Sequence, residues 1–160
     1  MTVKEQFCEN IRLNEKAMYH LAYSIVKNEN DTKEIISESI YRAYKAYANL
    51  KNKRAFKTWI LRIVHNTAIE TIRKNAKIVP IEQLEEKTTE NFRNDITTKM
   101  VVREAVESLK QPYRTVTVLF YYENLSIAKI AHITNSNVIT VRQQLSRSRK
   151  MLSKMLKEDF

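Results

Sequence analysis

Apolar residues recur along this chain at helical spacing, in stretches separated by short polar breaks. Ala17/Met18, Leu21/Ala22 and Ile25/Val26 return every four residues and so share one side of an amphipathic helix, predicted to end near Lys27. The polar run Asn28-Glu29-Asn30-Asp31 breaks it. Asp31 is the expected cap of a second helix, with Glu34 reaching back from the third helical position to complete a capping box. That helix puts Ile35, Ile36, Ile40, Ala43, Tyr44 and Tyr47 on one side and runs to about Leu50. After the basic turn Lys51-Asn52-Lys53-Arg54, a third helix carries Phe56, Trp59, Ile60, Ile63, Val64, Thr67, Ala68 and Ile72 in one wide stripe. Three such stripes can bury one another, which predicts a helical unit over residues 4–77.

The pattern is lost over residues 80–99, where five acidic and three basic residues stand in an otherwise basic chain; this stretch reads as a linker. From Ile96 the helical spacing resumes, with Met100, Val106 and Leu109 expected to be buried. Gln111 should close that helix, because a residue before proline disfavours the α region. Pro112 suits the first position of the next helix, which holds Tyr113, Val116, Leu119 and Phe120. A short helix capped by Ser126 follows. Asn137 then caps a long last helix whose seam is Val138, Val141, Leu145, Ser148, Leu152 and Met155. The expected fold is all-α, with two small helical domains: residues 1–77 and 96–160, joined by a flexible linker at 78–95. Units of this size bury little surface alone, so interdomain mobility is expected.

Composition strengthens the helical reading. The 160 residues include no glycine and two prolines, Pro80 and Pro112. Hairpin turns and phosphate-cradling loops lean on glycine for positive φ or close backbone approach. A formal net charge of +10 favours a polyanionic partner through counterion release. The lone Cys8 cannot make an internal disulfide, which fits a reducing cytoplasm, and its place beside Phe7 and Ile11 predicts burial in the core. Neither an apolar signal core nor a membrane-length apolar run is found, so a cytoplasmic protein without membrane insertion is expected. His20, His65 and His132 lie far apart and lack cysteine or carboxylate companions at ligand spacing. The serines and threonines sit in no nucleophile-elbow or phosphate-loop context. No cofactor, metal, small-molecule substrate or catalytic set is expected.

Residues 126–150 have the parts of a helix-turn-helix: a bracing helix, a tight turn, and a longer helix that could enter a major groove about 12 Å wide. Ile127, Ile130, Ala131 and Ile133 would pack on Val138, Val141 and Leu145. Residues 124–157 contain seven Lys or Arg and no Asp or Glu. The side opposite the seam presents Thr140, Gln143, Ser146, Arg147 and Lys150, with Arg142 and Arg149 at the flank. Hydroxyl, amide and guanidinium groups can pair with base edges, and the flanking cations suit phosphates. On charge and periodicity alone, a helical hairpin with a basic solvated face fits as well.

The segment over residues 105–152 resembles region four of the extracytoplasmic-function (ECF) sigma factors of bacterial RNA polymerase. The resemblance rests on Ser108, Leu109, Tyr113 and Arg114 at its entry, the run Tyr121-Tyr122-Glu123-Asn124-Leu125-Ser126, and residues 140–150. It implies that the last helix binds the −35 promoter element, with Arg142, Gln143, Ser146 and Arg147 foremost among the contacts. Asn135 stands where the turn usually has glycine, and asparagine is the next best residue for a left-handed conformation. Ser136 replaces a usually apolar residue, Gln144 a usual arginine, and Ala128-Lys129 a usually acidic pair.

Residues 18–47 resemble the first half of sigma region two, where an acidic helix face docks on the polymerase; here the matching residues are Asp31, Glu34 and Glu38, of which Glu34 and Glu38 share a face at four-residue spacing. Residues 56–74 resemble the segment that melts and recognises the −10 element. The resemblance implies that Asn66 helps hold an extruded base and that the loop before it supplies the pocket, with Lys51, Asn52, Lys53 and Arg54 in that loop. Residues 51–77 hold eight basic residues and one acid, a surface suited to a single strand. Trp59 reads as core, and Phe56 takes at most a minor share in the pocket. The implied partners are core RNA polymerase, promoter DNA (duplex at −35, single-stranded at −10) and an anti-sigma factor wrapping both units. Two other readings stand beside this one: a two-domain DNA-binding regulator of the response class, and a helical adaptor whose basic face meets acidic proteins or membrane.

Overall fold

The computed structural model describes residues 1–78 and 98–159. No strand is present among them. Seven α-helices follow in order: α1 (Val3–Val26), α2 (Glu29–Ala46), α3 (Phe56–Ile78), α4 (Thr98–Ser108), α5 (Tyr113–Thr117), α6 (Ile127–Ile133) and α7 (Val138–Asp159). Short 3-10 turns at Tyr47–Asn49 and Lys53–Ala55 link α2 to α3, and α5 runs into a π-helical turn at Val118–Tyr122. The expected linker at 78–95 lies outside the described residues save for Ile78, which ends α3, and the expected resumption of helix at Ile96 lies outside them too.

Local chemistry sets the element ends. Thr2 and Glu5 form a reciprocal capping box on α1, with Glu5 N donating to Thr2 Oγ1 at 3.1 Å and Thr2 N to Glu5 Oε2 at 3.2 Å. Lys27 ends α1 in a left-handed conformation at φ 50°, and its N–H reaches Tyr23 O at 2.8 Å. The next helix starts at once, because Asn28 Oδ1 accepts from Asp31 N at 2.9 Å. The cap is therefore Asn28, one turn before the expected Asp31. Asn28 already offers an acceptor at the chain reversal, so the polar run is the first turn of α2 rather than a break.

Helices α1, α2 and α3 form the N-terminal unit. Met18, Leu21, Ile35, Ile60, Leu61 and Val64 are fully buried between them. An aromatic cluster closes one end, with Phe7 edge-on to Tyr47 at 5.1 Å and to Phe56 at 6.1 Å between ring centroids. Several side chains depart from expectation. Cys8 is exposed, because the core stripe of α1 passes through Phe7 and Ile11, one step round the helix. Tyr44 and Ile72 are exposed at the stripe edges, and Trp59 is only partly buried. Met100 is exposed in the first turn of α4, and Val138 in that of α7. Pro112 precedes α5 as its cap residue instead of opening it.

The two expected units also meet. They pack together: one apolar core continues from α1 and α3 into Val116, Leu119, Leu125, Ile130, Ile133, Val141 and Leu145. Arg114, 5% exposed, crosses to the end of α1. Its Nε donates to Ser24 O and its Nη2 to Ile25 O at 3.5 Å, while its Nη1 donates to Leu109 O at 2.9 Å. Helix α1 has no basic residue in its own last turn, so Arg114 supplies a cation at its negative dipole end.

Candidate nucleic-acid interface

The helix-turn-helix is built by three small polar residues and one small apolar one. Ser126 Oγ accepts from Lys129 N at 3.2 Å and starts α6. Asn135 takes the left-handed conformation at φ 56°, and the next N–H, of Ser136, returns to Ala131 O at 2.8 Å. Asn137 Oδ1 accepts from Thr140 N at 2.8 Å and starts α7. Ala131 is buried where the two helices approach, beside Ile130 and Ile133. Val141, Leu145 and Ser148 turn inward along α7.

The opposite side of α7 faces solvent. Arg142, Gln143, Ser146, Arg147, Arg149 and Lys150 are exposed, and Thr140 is half-buried. Arg149 differs from its neighbours: its Nε donates to the Tyr121 hydroxyl at 2.6 Å, and its guanidinium lies 5.6 Å from the Phe120 ring centroid. It is held at the flank of the face by the π-turn. The sequence had no signal for this tether, since Tyr121 and Arg149 share no periodic relation.

In the N-terminal unit, Lys51, Asn52, Lys53 and Arg54 are exposed on the turns before α3. Asn52 Oδ1 caps the second turn by accepting from Arg54 N at 3.1 Å. Lys53 folds back, its Nζ donating to Tyr47 O at 2.8 Å and lying 3.7 Å from the Tyr47 ring centroid. Phe56 is buried, which withdraws it from any pocket in this loop. Asn66 is half-buried on α3, and its Oδ1 accepts from Asn135 Nδ2 at 2.8 Å. Burial lowers the pKa of the neighbouring His65, against an opposing hydrogen bond with Asn66.

Asp31, Glu34 and Glu38 share one face of α2; Glu34 and Glu38 are exposed and Asp31 is half-buried. Tyr41 continues this face, exposed and with Lys45 Nζ 4.4 Å from its ring centroid. Glu38 Oε1 accepts from Arg42 Nε at 3.0 Å, and Arg42 Nη1 reaches Glu70 on α3 at 2.8 Å. Hydrogen bonding to Glu70 first, and to Glu38, raises the pKa of Arg42. Thus Glu38 is half of a bridge between α2 and α3, a role invisible without knowing which helices meet. His20 and His132, unassigned in the sequence, also bridge the units: His20 Nδ1 meets Glu123 Oε1 at 2.8 Å, and Arg62 Nη1 meets the His132 ring at 3.0 Å.

The profile of sigma-70 region 2 matches residues 11–78, and that of sigma-70 region 4 matches residues 99–152. The chain belongs to the ECF sigma factors. It is 31% identical to the RNA polymerase sigma factor SigV of Bacillus subtilis, over 99% of this chain and 96% of that protein. It is 27% identical to the ECF RNA polymerase sigma factor SigW of the same organism, over 97% and 91%. The fold matches that of the sigma factor RpoE solved with the anti-sigma factor NepR from Bartonella quintana: TM-score 0.76, 19% identity, covering 96% of this chain and 98% of that one. As a sigma factor the protein binds core RNA polymerase and directs promoter recognition and DNA opening at initiation. Sigma factors are initiation factors, and the polymerase they join does the chemistry. No helix among the described residues is long and apolar enough to cross a membrane.

Proposed function

We propose that this sigma factor uses three surfaces, one per task, and itself catalyses no reaction. The acidic stripe of Asp31, Glu34 and Glu38 on α2 seats it on core polymerase. Asn66, with Lys51, Asn52, Lys53 and Arg54, takes the unpaired −10 strand. Thr140, Arg142, Gln143, Ser146, Arg147, Arg149 and Lys150 bind the −35 duplex, with Arg149 on a phosphate because Tyr121 holds it aside. Residues 1–77 and 96–160 would form the two functional units, with 78–95 as linker. A cytoplasmic location follows from the partners.

The observation that carries this reading is the α7 face. Six exposed groups able to pair with bases or phosphates stand opposite a buried seam, on a segment free of acids. An anti-sigma factor is proposed as a further partner, since RpoE of Bartonella quintana was solved with one. The test is in vitro transcription with core polymerase, the purified protein and a promoter library. Initiation that depends on the protein, from promoters sharing a −35 and a −10 sequence, is expected. Transcripts that lose their shared −35 sequence on Arg147→Ala would match the assignment of α7; transcripts unchanged by that substitution would reject it.

A further inference from the structure

We propose that Ile139 reads a thymine methyl group in the −35 element, which makes it a specificity-determining residue of this sigma factor. The inference rests on the reading of α7 as the helix that binds the −35 duplex. Ile139 is 68% exposed in the first turn of α7. It belongs neither to the apolar core nor to the residues packed against it. A β-branched residue is also a poorer helix former than alanine or leucine, so α7 itself gains little from it. Single exposed apolar residues are common on protein surfaces. What sets this one apart is where it stands.

At about 100° per residue, Ile139 lies opposite the buried Val141 and Ser148. Gln143, Ser146 and Lys150 fall within about 40° of it, and Arg142 and Arg147 stand on either side. Ile139 is thus the apolar centre of an otherwise polar and basic face. Asn137 caps α7 just before it, which puts Ile139 at the N-terminal end of the helix, the part of a recognition helix that meets base edges. Val138, the other exposed apolar residue of this turn, lies about 100° away on the seam side.

The neighbours of Ile139 carry hydroxyl, amide and cationic groups, which can pair with the donors and acceptors of more than one base. Isoleucine offers only aliphatic surface. In the major groove, the aliphatic feature that distinguishes an unmodified base pair is the C5-methyl group of thymine. Against another base edge, Ile139 would cover a polar group without giving it a hydrogen bond, which costs free energy. The residue therefore selects twice at one position, by burying a methyl group and by penalising pairs that lack it. Charge decides the occupant. Seven Lys or Arg and no Asp or Glu over residues 124–157 commit this surface to a polyanion, so the apolar centre meets duplex DNA and not an apolar protein surface.

The test uses the full chain assembled with core polymerase and a promoter from which that holoenzyme initiates. Each thymine of the −35 element is replaced in turn by deoxyuridine, which lacks only the methyl group, and binding is measured by competition. In the parent, one replacement should weaken binding about threefold to sixfold, the scale of one buried methyl group. The same replacement should have no effect in Ile139→Ala and should keep most of its effect in Ile139→Val. An element insensitive to every replacement, or an equal loss in Ile139→Ala, overturns the contact. Failure of Ile139→Ala to assemble with core polymerase would give the residue to a protein partner and overturn it equally. Arg147→Ala separates this inference from the reading beneath it. If Arg147→Ala weakens binding to the −35 element while the methyl response ignores Ile139, the contact alone falls. If Arg147→Ala leaves that binding unchanged, the reading of α7 falls and the contact with it.

Discussion

Arg147 and Glu38 carry opposite charges to different partners, and their substitutions should separate accordingly. Arg147 is exposed on α7. Arg147→Ala should weaken binding to the preferred −35 duplex by about 1–3 kcal/mol, the scale of one good base contact, and relax preference at one position, as read by competition among duplex variants. Glu38→Ala should leave that binding intact and reduce affinity for core polymerase, as read by surface plasmon resonance. Unchanged core affinity would move the docking face off α2. His65 gives a different reading. Burial depresses its folded pKa below the ordinary 6.5. Below pH 6.5 the unfolded chain binds a proton that the folded chain resists, so stability present above that pH is lost as pH falls toward the folded pKa. Urea midpoints at pH 7.5 and 5.5 should differ less in His65→Phe than in the parent; an unaltered difference would assign the acid sensitivity elsewhere.

At the scale of elements, the sequence was legible where the signal is local. Ser126 and Asn137 cap α6 and α7, and Asn135 turns left-handed, because each requirement is met within three residues. The start of α2 was misplaced by one turn because both Asn28 and Asp31 are good caps, and only the chain reversal after Lys27 chooses between them. The choice has an energetic consequence. Asn28→Ala should cost about 0.5–2 kcal/mol in urea unfolding, the range for a lost cap. Asp31→Ala should cost less, since its own side chain is spared the capping role. Equal losses would mean that the first turn of α2 is held by both. Exposure of Cys8 and Tyr44 was illegible for a related reason: periodicity gives the direction of a stripe, while its width depends on which neighbour arrives.

The relation between the units was the part that the sequence concealed. Arg114 and Glu123 read as parts of a region-four motif, and nothing in their spacing announces Ser24 and His20, ninety or more positions away, or Lys57 as partners. Small size argued for two loosely coupled units, yet the same marginal stability gives each unit reason to borrow the other's apolar surface. Leu119 tests this directly. It is fully buried in the shared core, while Trp59, the only tryptophan, lies on α3 in the other unit. If the core is common, Leu119→Ala should lower the Trp59 fluorescence midpoint and the far-UV circular dichroism midpoint together, by about 2–5 kcal/mol of stability. If the units unfold separately, the dichroism should gain an early phase that Trp59 does not see. Coincident curves would mean that separating the two units uncovers core and not merely surface, which would make each unit's stability depend on the other.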